Sequence, residues 1–117
     1  VSESSSAAAL PLEVSAVDAV SMLASGVRVV DVREQAEWDG AHVPETVLLP
    51  MSQLQARFSE IPLEEPVLVL CHSEVRSERV ALALREAGFD AASIAGGILA
   101  WQSAGGTVVA SGPSAHA

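Results

Sequence analysis

The chain has 117 residues and a single cysteine, Cys71, which is followed by His72-Ser73-Glu74-Val75-Arg76-Ser77. Before it runs an apolar stretch, Val67-Leu68-Val69-Leu70; after it, Val80, Ala81, Leu84 and Ala87 recur at helical spacing. A thiol placed between a buried strand and a helix faces the backbone N–H groups that open the helix. Those donors, together with the helix dipole, favour thiolate over thiol. Arg76 adds a fixed positive charge, and the arrangement suits a nucleophilic cysteine that must also hold an anionic adduct. A persulfide is such an adduct: the thiolate takes the outer sulfur of a donor, keeps it as Cys–S–S⁻ and passes it to a second nucleophile, with no metal or cofactor required. On this reading Cys71 is the nucleophile, and the N–H groups of the helix opening at Ser77, together with Arg76, hold the anion. The plain alternative is a small, inert cysteine closing a strand.

Bulk composition narrows the setting. One cysteine forms no internal disulfide and belongs to no multi-cysteine zinc site, and a free thiol is at home in the cytoplasm. Six Arg+Lys against fifteen Asp+Glu give a net charge of -9, which repels phosphate backbones and anionic lipid, so neither nucleic acid nor membrane is an expected partner. No apolar run approaches the roughly 20 residues that cross a bilayer, and a signal-peptide pattern is absent from residues 1–10.

The elements that must position Cys71 read as alternating strands and helices, the pattern of a parallel sheet covered by helices. Residues 1–10 and 110–117, rich in Ser and Ala, read as tails flanking one domain over 11–109. A first helix is predicted over Ser15 to Ser25, with Val17, Val20 and Leu23 on its apolar stripe. A buried strand, Val27 to Val32, carries Asp31 and Arg33 at its C-terminal end. A polar helix over Glu34 to Asp39, a small strand at Val47 to Leu49 and a short helix from Met51 to Phe58 follow. Val67 to Leu70 is predicted as the central strand, then a helix from Ser77 to Ala87, a strand at Ala92 to Ile94, a helix carrying Trp101, and an edge strand at Thr107 to Val109. In an open α/β sheet ligands bind beyond the carboxyl ends of the strands, which is where Cys71 falls.

Asp31-Val32-Arg33-Glu34, Glu37-Trp38 and Gly40-Ala41-His42-Val43-Pro44 resemble the first signature of the rhodanese-like sulfurtransferase family. Cys71 with Arg76 and Ser77 resembles its active-site loop, Gly88-Phe89 its helix exit, and Gly96-Gly97 through Trp101 its closing signature. The likeness runs from about Leu12 to Val109. It implies a three-layer α/β/α fold with a central parallel sheet of about five strands, a loop whose amides, those of His72, Ser73, Glu74, Val75 and Arg76, form an anion cradle around the cysteine sulfur, and support from Asp31, Arg33 and Ser77. It also implies a small sulfur-containing anion or a protein persulfide as donor and cyanide or a thiol as acceptor. Related phosphatases have one more residue in the loop than the four between Cys71 and Arg76, so a sulfur-sized cradle is expected here.

Two positions depart from the family pattern. Glu74 stands where many single-domain members have Gly, adding a Cβ and an anion near an anionic donor. Glu45-Thr46 replaces the usual Gly-Ala in a turn remote in sequence from Cys71, with a structural effect expected. His72 is expected to line the entrance, His42 to serve the fold, His116 to be inert in the tail, and Trp38 and Trp101 to anchor packing. Three functions remain in competition: a sulfurtransferase, a rhodanese-like binding or sensor module with slow turnover, and an oxyanion reductase or phosphatase, the last disfavoured by loop length.

Overall fold

The computed structural model describes residues 10–73 and 75–109. Of the expected tails at 1–10 and 110–117, residues 1–9 and 110–117, with His116, lie outside the described residues, as do the questions raised at Glu74; Leu10 is half-buried and is tied to the domain by its amide, which donates to Asp90 Oδ1 at 2.8 Å. Five strands, β1 (Glu13–Val14), β2 (Arg28–Asp31), β3 (Val47–Leu48), β4 (Val67–Leu70) and β5 (Ala91–Ile94), form one sheet in the order β1-β5-β4-β2-β3, with every pairing parallel. The strand predicted as central is central. Like β5 beside it, it is dry, with all four of its residues fully buried, because helices cover both faces of the sheet there.

The period-2 alternation of β4 divides the core. Val67, Val69 and Cys71 pack on one face with Val80, Ala81 and Leu84 of helix α4 (Val75–Glu86) and Leu54 of α3 (Leu54–Arg57). Leu68 and Leu70 pack on the other with Ala16 and Ala19 of α1 (Ala16–Ala24) and Ile98 and Trp101 of α5 (Gly97–Ser103). Burying each such Val or Leu contributes about 1.5–3 kcal/mol. The short α2 (Gln35–Gly40) buries no residue in either half and lies at the rim.

Several local expectations are corrected. Helix α1 is capped by Ser15 Oγ, which accepts from the Asp18 amide at 3.1 Å, but its buried side carries Ala16 and Ala19, and Val17 points to solvent. Helix α4 begins at Val75, two residues before the predicted start. The predicted helix over Met51 to Phe58 is divided between a 3₁₀ turn (Met51–Gln53), α3 and a second 3₁₀ turn starting at Phe58. Thr107 to Val109 is no edge strand of the sheet: Val109 makes one antiparallel bridge with His42. The fifth strand is instead β1, added beside β5.

Trp101 is 2% exposed, and a Cβ at position 106 would meet its indole Nε1 at 2.1 Å, so the backbone at Gly106 lies directly on the ring. Trp38 stacks on His42 with ring centroids 3.9 Å apart and planes inclined by 8°. Both tryptophans therefore hold chain segments together.

Candidate active site

Cys71 leaves the C-terminal end of β4 and is 1% exposed. Its Sγ accepts a hydrogen bond from the Ser77 amide at 3.3 Å, a donor in the first turn of α4 and one residue beyond the 72–76 span proposed from the sequence. The Cys71 carbonyl accepts from the Ile98 amide at 2.8 Å, which ties the start of the loop to α5. Gly97 makes this approach feasible: its φ is +60°, and a Cβ there would meet the His72 oxygen at 2.4 Å and the Cys71 oxygen at 2.5 Å. His72, Ser73 and Val75 are exposed at the rim of the loop.

Behind the loop, the Ser77 and Ser93 hydroxyls lie 2.8 Å apart, both residues with no exposed surface. A hydroxyl pair in a dry interior is held tightly, because an unpaired hydroxyl there costs far more than one in water. Ser93 interrupts the otherwise apolar β5, and that interruption was the sequence signal for its role.

Arg76 does not stand free. Its Nη1 and Nη2 donate to Glu37 Oε1 and Oε2, each at 2.8 Å, in a two-bond ion pair that joins α4 to α2. Glu37 Oε1 also accepts from the Glu34 amide at 3.0 Å, so the carboxylate that grips Arg76 is fixed by the opening of its own helix. Hydrogen bonds from Arg76 pull the Glu37 pKa from 4.5 down to about 2 against partial burial, with the Glu34 amide and the charges of Arg76 and Arg33 acting in the same downward direction. Arg76 in turn is raised, chiefly by the Glu37 hydrogen bonds and further by the negative charges of Glu37, Cys71 and Asp31, against burial. Glu37 appears in the sequence only as part of a folding signature. Its partner is 39 residues away, a separation that no local pattern reports.

Asp31 and Arg33 are buried and bind each other. Arg33 Nε donates to both Asp31 oxygens at 3.0 and 3.1 Å, Nη2 donates to Oδ2 at 2.9 Å, and the Arg33 amide donates to Oδ1 at 3.0 Å. Arg33 Nη2 also donates to the Ala41 carbonyl at 2.8 Å, locking the end of β2 to the segment after α2. The pair is a buttress for α2, and through α2 for Glu37 and Arg76. His42 joins the same region: its Nδ1 lies 3.2 Å from the Trp38 carbonyl oxygen.

A family model for the rhodanese-like domain matches residues 15–104. A sulfurtransferase of Allochromatium vinosum is 35% identical over 85 residues, covering 72% of this chain and 79% of that protein. The uncharacterised protein YqhL of Bacillus subtilis is 37% identical over 75 residues, covering 63% of this chain and 60% of its own length. The chain spans less than two thirds of the length of YqhL and of other curated relatives it matches. Among solved structures, a rhodanese-related protein of Thermoplasma volcanium superposes with a TM-score of 0.77 at 24% identity, covering 85% of this chain and 98% of that one.

Proposed function

Because the chain belongs to the rhodanese-like domain family, we propose that it is a sulfurtransferase that carries a sulfane sulfur on Cys71 and delivers it to a thiophilic acceptor. The observation that carries this reading is the Cys71 sulfur at the end of the central strand, under the Ser77 amide that opens α4. The thiolate attacks the outer sulfur of the donor, the donor's S–S bond breaks, and the former partner leaves with the electron pair; the new Cys–S–S⁻ then meets the acceptor, which removes the outer sulfur and restores the thiolate. Amide donors and the α4 dipole stabilise the anion in both states. A cysteine residue only 1% exposed favours narrow reactants, and a terminal sulfur atom is among the narrowest.

Thiosulfate or a persulfide serves as donor, and cyanide or a thiol as acceptor. No cofactor takes part. Asp31 and Arg33 act as supports, the 72–76 segment and Ser77 supply the amides of the cradle, and Arg76 stands in it as one half of its ion pair with Glu37. With a free thiol and a strongly acidic chain, the site of action we propose is the cytoplasm. No helix among the described residues is long and apolar enough to cross a membrane.

The test is thiosulfate:cyanide sulfurtransferase activity of the purified chain beside Cys71→Ala, with mass spectrometry of the donor-treated protein. Thiocyanate production that needs Cys71, and one added sulfur that cyanide removes, are the expected results. A binding or sensor module would retain the sulfur without turning over. Absence of both signals with thiosulfate and with a persulfide donor would overturn the proposal.

A further inference from the structure

Four described charged side chains surround the thiol region, and they cancel. Asp31 and Arg33 are buried against each other, and Glu37 holds both terminal nitrogens of Arg76 at 2.8 Å. Arg76 is the only arginine between Cys71 and Ser77, and the negative charges of Cys71 and Asp31 also act on it. A bidentate carboxylate uses the two donors that an anionic donor molecule would otherwise engage, and it turns a monopole into a short dipole whose attraction fades quickly with distance.

We propose that Glu37 is a specificity-determining residue: by occupying Arg76 it withholds the loop's arginine charge from the donor, and so disfavours the dianion thiosulfate relative to a thiol persulfide. This rests on the sulfurtransferase reading and deepens it. With thiosulfate the Cys71 thiolate takes the outer sulfur and the S–S bond releases sulfite, which departs with two negative charges from a site that offers no net positive charge. With a persulfide R–S–SH the same bond change releases RS⁻, which takes up the proton of the transferred group and leaves as the neutral thiol RSH. The second path moves one negative charge through the site where the first moves three. Glu37 is fixed from its own side by the Glu34 amide, so it does not swing away to free Arg76 without breaking the opening of α2.

The experiment compares kcat/KM for thiosulfate and for 2-hydroxyethyl persulfide, whose organic group is uncharged, in the wild type, Glu37→Gln and the double variant Glu37→Gln/Arg76→Gln. The wild type is expected to favour the persulfide. Glu37→Gln leaves one positive charge unopposed, which raises kcat/KM for thiosulfate about five-fold or more, mainly through KM, with about two-fold or less change for the persulfide. That gain shrinks with added salt, as a charge effect must. In the double variant both charges are gone, so the ratio of the two donors stays within about two-fold of the wild type, and this arm holds even if the single variant folds poorly. A wild type that prefers thiosulfate, an equal change for both donors in Glu37→Gln, or a large shift of the ratio in the double variant overturns the inference alone. Failure of Cys71-dependent transfer from either donor overturns the sulfurtransferase reading and this inference with it.

Discussion

The Ser77 and Ser93 hydroxyls meet at 2.8 Å between α4 and β5, directly behind the amide that donates to Cys71 Sγ. The bond joins the helix that opens the loop to the strand next to the one that delivers the thiol. Removing the Ser93 hydroxyl takes away a buried partner, so Ser93→Ala is expected to cost about 1–2 kcal/mol of stability in urea denaturation. It also loosens the first turn of α4, and sulfur transfer should slow several-fold. A variant with wild-type stability and rate would show that the pair positions nothing.

The second prediction concerns acid. Glu37 has its pKa lowered from 4.5 to about 2 in the folded chain, so the unfolded chain binds the proton first as pH falls. A depressed carboxylate contributes stability that is complete above its unfolded value and disappears on descent toward the folded one. Thermal melts taken from about pH 5 to about pH 2.5 should therefore fall more steeply for the wild type than for Glu37→Gln, which has no proton to gain. Parallel slopes would refute the assignment.

A third prediction comes from the backbone. Glu45 has φ +73°, a left-handed conformation that strains any residue with a Cβ, and it is the described non-glycine residue that adopts one. Glycine is at ease there, although it gains freedom in the unfolded chain. Glu45→Gly should stabilise the protein by about 0.5–1 kcal/mol, seen as a higher melting temperature with sulfur transfer unchanged. Lower stability would mean that the Glu45 side chain makes a contribution larger than the strain.

A fourth concerns Gly97, whose added Cβ would strike the Cys71 and His72 carbonyl oxygens at 2.4–2.5 Å. The atoms it meets are backbone, so the loop itself must move. Gly97→Ala should lower sulfur transfer by about ten- to a hundred-fold, as displacements near 1 Å do at a reacting centre, with a measurable drop in melting temperature. Retained transfer would show that the loop tolerates the shift.

The parts of this molecule that the sequence disclosed are those set by local pattern. The unbroken apolar run of β4 marked a strand covered on both faces, and Cys71 at its end followed directly. Ser15 announced the start of α1, and Val20 and Leu23 of the predicted stripe pack on the core, but Val17 is exposed and the buried positions are Ala16 and Ala19, which carry little hydrophobic signal. Two-residue β1 has no periodicity to detect, since its pairing with β5 is made by backbone. Glu37 escaped because its role comes from a partner 39 residues away, and Ser93, although it stood out in an apolar strand, has a partner that only the folded arrangement names.

The place of β1 in the sheet has a consequence for synthesis. Of the five strands in this sheet β1 is made first, yet its partner is β5, to which it is fastened by the Ser93 amide on the Leu12 carbonyl and the Ala95 amide on the Val14 carbonyl. On the ribosome the segment around residues 12–14 must wait, unpaired, until residues 93–95 have emerged. Strand β1 is thus stitched in after the rest of the sheet, and closure of the sheet is a late event in the life of each nascent molecule.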